Sequence, residues 1–193
     1  MVNIVRNMKS FAITFRLAAL ASATLVLSAC AAMHEVTDAF RLGFSNYTEP
    51  PENSPHALLR VSSDGNVAAF PASACQSGTV PNSGIALSRA QLQIGAGGLN
   101  GQKRGVPGSP LAGQPYAEFR VPAGVPFTLF YASGWGERGG NYGCAKGVYF
   151  TPQTGAAYEF VAVTIQAQRL CGVRLRDLAK PEFPVVLQDA PRC

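Results

Sequence analysis

From residue 56 onward the apolar residues recur at every second position, and that period most constrains what the chain can become. Ala57, Leu59 and Val61 alternate with Leu58, Arg60 and Ser62. Ala117, Phe119 and Val121 alternate with Tyr116, Glu118 and Arg120. Val125, Phe127, Leu129 and Tyr131 share one parity, as do Cys144, Val148 and Phe150, with Lys146 as the exception. Val161, Val163 and Ile165 are read as lining the next strand, then Cys171, Val173 and Leu175, with Arg174 and Arg176 turned out. Phe183, Val185 and Leu187 read as a last strand. Successive strand residues point to opposite faces, so each run describes a strand buried on one side. Punctuation by Pro122-Ala123-Gly124 and Thr151 to Gly155 gives about seven to nine strands at spacings near ten residues. That pattern predicts an all-β chain, an antiparallel β-sandwich that is immunoglobulin-like or transthyretin-like in the broad sense. The Cys–Trp–Cys order of immunoglobulin domains is read as absent, because the single Trp135 falls in a glycine-rich stretch that reads as a loop.

Composition supports the same class. The 193 residues include 20 Gly and 14 Pro, and only 14% are charged. Coiled coils and bundles need charged, proline-poor helices, and at 47% hydrophobic the chain has apolar surface to bury. Asp64-Gly65 falls between two alternating runs, which predicts a hairpin through a type I′ turn. Gly84 to Ser88 is a candidate short strand, and Gly95 to Pro115 reads as a long loop. Its Gly95-Ala96-Gly97-Gly98-Leu99-Asn100-Gly101 run fails as a dinucleotide loop at Asn100, and the residues after it cannot open a helix.

The first 29 residues read as an export signal. Arg6, Lys9 and Arg16 supply a basic start with no acid, and Leu17 to Leu27 is an apolar run too short for a stop-transfer helix. The run ends Leu27-Ser28-Ala29-Cys30, which resembles the lipobox of bacterial envelope lipoproteins. The resemblance covers those four residues alone. It implies cleavage before Cys30, lipidation of Cys30 and, with Ala31 rather than Asp next, outer-membrane rather than inner-membrane residence. Three of the 16 basic residues and none of the 11 acids lie in this leader, so the formal charge falls from +5 to +2 on its removal. No basic–aromatic stripe remains, which argues against nucleic acid as a partner. Residues 30–55 read as a lipidated tether. Met33, Val36, Phe40 and Phe44 recur at the spacing of a short amphipathic helix, and Thr48 to Pro55 is polar and proline-rich.

Beyond Cys30 four cysteines remain, Cys75, Cys144, Cys171 and Cys193. In an exported chain they predict two disulfides, with three connectivities open. Cys144 and Cys171 both fall on the apolar parity of their strands, which favours that pair, and Cys75–Cys193 follows by elimination. No CxxC pair exists and the only histidines, His34 and His56, lie in or beside the tether, so no metal and no cofactor is expected.

No catalytic constellation is legible. There is no G-x-S-x-G elbow and no H-E-x-x-H, and the predicted sandwich offers no core histidine. Asp64 is assigned to its turn, and Glu118 and Glu159 to outward strand positions. The candidate binding residues are Trp135, Glu137, Arg138 and Tyr142, in a presumed glycine-rich loop from Ser133 to Gly143, because Trp, Tyr and Arg are enriched at binding hot spots. Arg60, Arg120, Arg174 and Arg176 take outward parities and would form a basic stripe if they share a sheet. The sequence therefore leads to an expectation: a non-enzymatic outer-membrane lipoprotein facing the periplasm, acting as a binding or scaffold module. The other readings are a subunit of an envelope or secretion assembly, and a binder or inhibitor of a small ligand or enzyme through the 134–143 segment. The partners expected are the membrane, through the anchor, and an envelope protein or glycan.

Overall fold

The computed structural model describes residues 45–77, 79–89, 97–137, 140–165 and 170–193, with the backbone alone at 134–137 and 140–143. The leader, Cys30 and the 33–44 segment lie outside the described residues, as does Arg138. The described chain is all-β. Its strands are β1 (His56–Ser63), β2 (Asn66–Pro71), β3 (Gly84–Leu87), β4 (Tyr116–Pro122), β5 (Phe127–Glu137), β6 (Gly140–Phe150), β7 (Ala157–Ile165), β8 (Leu170–Asp177) and β9 (Gln188–Asp189). They form two packed sheets, one ordered β4-β1-β7-β8 and the other β3-β2-β5-β6-β9. Neighbours run antiparallel except β1 and β7, which are parallel.

The inward parity makes the core. Leu59, Val61, Phe119 and Phe160 of the first sheet meet Val67, Phe127, Leu129 and Tyr131 of the second, all fully buried. Aromatic edges link strands within and between the layers: Phe150 meets its register partner Phe127 at 6.3 Å and, across the layers, Tyr158 at 5.2 Å between ring centroids. Such pairs add to the burial of their area. On β7 the parity expected of Val161, Val163 and Ile165 is reversed, while that expected of Glu159 holds. Tyr158, Phe160 and Ala162 face the core, whereas Val161 and Val163 are half-buried and Ile165 is exposed on the outer face. Both parities of that strand are apolar, so alternation alone carried no sign.

The Asp64-Gly65 hairpin is also corrected. β1 and β2 belong to different sheets, so these residues form a corner between layers. Gly65 has no left-handed φ. Glycine is required instead by close approach, since a Cβ there would lie 2.5 Å from the Ala132 carbonyl oxygen. The Asp64 carboxylate holds the corner by accepting from the Thr164 amide at 2.9 Å and the Tyr131 hydroxyl at 2.5 Å, one from each sheet.

Residues 45–49 are likewise part of the folded domain rather than the end of a tether. Tyr47 is buried, with its ring 5.2 Å from Phe119 and 5.8 Å from Phe127, and its hydroxyl donates to the Arg120 carbonyl at 2.9 Å. Burial pushes its pKa far up, aided by the Glu49 charge. At the other terminus, Phe183 to Leu187 is not a strand. Pro184 supplies only an isolated bridge to Arg176, Phe183 is exposed, and pairing resumes at Gln188.

Both disulfides are present as favoured from the sequence. Cys144–Cys171 joins β6 to β8 across the two sheets, and Cys75–Cys193 ties the C-terminus to the segment after β2. Gln76 reinforces the second, accepting from the Cys193 amide and donating its side-chain amide to the Ala190 carbonyl at 2.6 Å. Replacing Cys144 and Cys171 together by Ala should lower the unfolding free energy by about 3–4 kcal/mol in equilibrium urea titrations. The longer Cys75–Cys193 loop should cost more, and equal midpoints for wild type and both double variants would refute the cross-linking account.

Candidate functional site

Register turns three separate sequence runs into one line of charge. Arg60 on β1 lies opposite Glu118 on β4 and opposite Glu159 on β7, and Glu159 lies opposite Arg176 on β8. The order across the sheet is therefore acid, base, acid, base. All four take the outward parity expected of them, yet Arg60 is only 1% exposed and Glu118 and Glu159 are each 4% exposed. They are withdrawn from water by one another and, at Arg60 and Glu118, by the 97–108 segment, which folds down over that part of the face.

Arg60 joins sheet to cover. Its Nε and Nη2 donate to Glu118 Oε1 at 3.1 and 2.9 Å. Its Nη2 also donates to the carbonyls of Val106 (2.6 Å) and Gly108 (2.8 Å), and Nη1 to that of Pro107 (3.0 Å). Nη1 lies 3.6 Å from Glu159 Oε1, and Glu159 Oε2 accepts from Arg176. Glu118 Oε2 accepts the backbone amides of Arg104, Gly105 and Val106 at 2.7, 3.0 and 3.2 Å. The segment thus offers amides to an acid and, two residues on, carbonyls to a base. The chain turns there through Gly105 and Gly108, at φ of 79° and 77°, left-handed conformations that side chains disfavour.

Glu49 repeats the device at the edge. Its Oε1 accepts from Gln102 at 2.5 Å and Arg104 at 2.7 Å, and Oε2 from the Arg120 amide at 2.9 Å with Arg120 Nε at 3.3 Å. Burial alone would raise the pKa of Glu118. The Arg104 amide, the Arg60 guanidinium and the Val106 amide outweigh it and hold the carboxyl below its usual range. For Glu49, burial is likewise outweighed by the Arg104 side chain, the Arg120 amide and Gln102. Both oxygens of the Glu118 carboxylate are thus engaged, one by the Arg60 guanidinium and the other by three backbone amides.

The predicted basic stripe is dispersed by the same pairings. Its four arginines do share one sheet, but Arg60 is buried, Arg120 pairs with Glu49 and Glu52, and Arg176 pairs with Glu159. Arg174 is exposed, and among the described residues nothing pairs with it. A second polar cluster lies at the corner, where the Tyr131 hydroxyl reaches Thr164 Oγ1 at 2.6 Å and Ser133 bonds the same oxygen. Burial first, then the hydrogen bond to Asp64, raises the Tyr131 pKa. Asp64 is therefore more than a turn residue. Among the described residues no group of three or more His, Cys, Asp or Glu is arranged to hold a metal ion.

The presumed glycine-rich loop is two strand ends. β5 and β6 continue in register through Ser133↔Cys144, Gly134↔Gly143, Trp135↔Tyr142, Gly136↔Asn141 and Glu137↔Gly140. β2 pairs with β5 only as far as Ala132, and β9 pairs with β6 only at Val148 and Tyr149. The ribbon therefore runs on beyond its flanking strands. Three of the four candidate binding residues, Trp135, Glu137 and Tyr142, sit on it, and Trp135 and Tyr142 are register partners. The missed elements are Tyr47, Glu49 and the 97–108 cover. Their only signal in the sequence was an aromatic and an acid just before a proline-rich stretch. No protein-family model matches the chain, and no curated protein matches it significantly.

Replacing Arg60 by Met would leave Glu118 and Glu159 buried without their shared cation, and should cost about 3–5 kcal/mol in denaturant titrations. Because the folded pKa values of Glu118 and Glu49 lie below their unfolded values, their contribution is complete above an unfolded pKa of about 4.3. It is lost as pH falls through the lower folded values. Stability measured from pH 6 to pH 2 should therefore fall less steeply for Glu118→Gln than for wild type; an identical slope would exclude Glu118 as a source of the acid sensitivity.

Proposed function

We propose that the protein is a lipid-anchored binding module of the bacterial cell envelope. In this reading Cys30 carries the lipid and the β-sandwich faces the periplasm from the outer membrane. The β5–β6 ribbon contacts a protein or glycan partner. The observation that carries the binding role is the projection of that ribbon past both flanking strands, with an aromatic pair at opposed positions. Aromatic residues concentrate binding energy where they are presented on a rigid support, and the Cys144–Cys171 bridge sits at the base of the ribbon. A non-catalytic role fits the use of the buried Glu118 and Glu159 and the half-buried Glu49 and Asp64, since all four are engaged in holding chain segments together. The lipid anchor rests on the lipobox resemblance of Leu27 to Cys30.

Two measurements test the reading. Cys30→Ala should abolish labelling by a fatty-acid analogue and move the protein from the membrane to the soluble fraction; unchanged labelling would remove the anchor. Partner recovery after gentle crosslinking of native envelopes should fall about tenfold or more for Trp135→Ala, as for a hot-spot truncation. Full recovery by a normally folded Trp135→Ala protein would remove the ribbon from the binding role.

A further inference from the structure

Strand edges are templates for another strand, and this fold covers most of its own. The β4 edge is closed by Gln102, whose carbonyl accepts from the Glu118 amide, by Gly101 donating to the Tyr116 carbonyl, and by Glu49 on the Arg120 amide. The β3 edge is closed by Ser45 and Tyr47, which bond Ile85, and by Leu99 on Ala86. β9 is two residues long and is flanked by Gln76. Apart from the ribbon, β8 is the exception. Among the described residues only Pro184 bridges it, at Arg176, and nothing pairs with its outer edge from Leu170 to Leu175. Of the usual protections only charge is present there, in Arg174, Arg176 and Asp177. β8 is eight residues long with an unbroken register to β7, and it contains no proline.

Three further features mark this edge as a docking strand. Leu170 is 54% exposed, and beside it the half-buried Val161 and Val163 and the exposed Ile165 form an apolar row on the outer face. The Cys144–Cys171 bridge fixes β8 to the opposite sheet, so little ordering remains to be done on binding. Arg174 projects from the middle of the strand without a partner among the described residues. We propose that the β8 edge accepts an extended strand of a partner protein. That strand presents an acidic residue to Arg174 and apolar residues to Leu170 and the Val161–Val163–Ile165 row. Main-chain hydrogen bonds supply affinity in such an addition and the alternate side chains supply specificity. A second copy of this chain fits less well, because joining two β8 edges brings two unpaired Arg174 guanidiniums to one seam with no acid between them.

The inference rests on the envelope-module reading and specifies how the partner is held. It is tested with the full-length chain in native envelopes, with Leu170 replaced by p-benzoylphenylalanine and, as control, the exposed loop residue Leu111 replaced in the same way. Irradiation should link position 170, and not 111, to one short segment of one protein, and sequencing of the adduct should find Asp or Glu in it. Arg174→Glu should lower the adduct about tenfold, as expected for like charges at a contact. Changing the partner's acid to Lys should restore it. The less disruptive Arg174→Gln, checked by circular dichroism, should give an intermediate yield. No adduct at 170 above that at 111, an adduct to a second copy, a segment without an acid, or a yield indifferent to Arg174→Glu would each overturn the proposal. Partner recovery that Trp135→Ala abolishes and Arg174→Glu leaves intact would overturn the β8 proposal while keeping the module reading.

Discussion

A guanidinium withdrawn from water holds much of this structure in place. Arg60 is a charged side chain on the outer face of a sheet, a position that normally needs no partner. Here it is buried, and a buried cation without compensation costs several kcal/mol. Compensation comes from the two carboxylates opposite it and from three carbonyls of the 106–108 turn. The turn is therefore not free to leave, because leaving would strip Arg60 of acceptors and Glu118 of its three amide donors at once. The 97–108 segment, rich in glycine and without strand periodicity, owes its position to this exchange.

The same exchange makes the two halves of the sheet unlike. Over β4 and β1 the cover is bonded down, and Glu49 and Tyr47 close the adjoining edge. On β7 and β8 the half-buried Val161 and Val163 and the exposed Ile165 stand beside a strand edge that, from Leu170 to Leu175, no described residue pairs with. One disulfide braces that open side by linking β8 to β6 at the root of the projecting ribbon. The open edge and the ribbon thus share one rigid support. A partner engaging both would meet a surface that is already ordered, which lowers the entropic cost of association.

The pattern of residues and the outcome agree unevenly, for physical reasons. The sandwich and the Cys144–Cys171 bridge were legible because strand period and cysteine parity are local properties that a core must satisfy, and Cys75–Cys193 then followed by elimination. Val161, Val163 and Ile165 were turned the wrong way because the opposite parity of β7, with Tyr158, Phe160 and Ala162, is just as apolar. Asp64-Gly65 carries the composition of a hairpin turn, but its glycine serves a close approach to Ala132 and its aspartate a link between sheets. The Trp135 segment was read as a loop from its glycines, yet the paired register persists through it to Glu137 and Gly140.

By itself the sequence determined the all-β class and the inward faces of most strands, and it favoured the cysteine pairing that the structure shows. The first two follow from the repeat of residue types along the chain, the pairing from cysteine parity and elimination. Only the tertiary structure decided which strands became neighbours. It set Arg60 between Glu118 and Glu159, and with them it brought residues 45–49 and 97–108 into the fold. It also left β8 without an outer neighbour. The reason is that alternation fixes the face a side chain takes, whereas its burial and charge environment depend on the strand and cover that register brings alongside it.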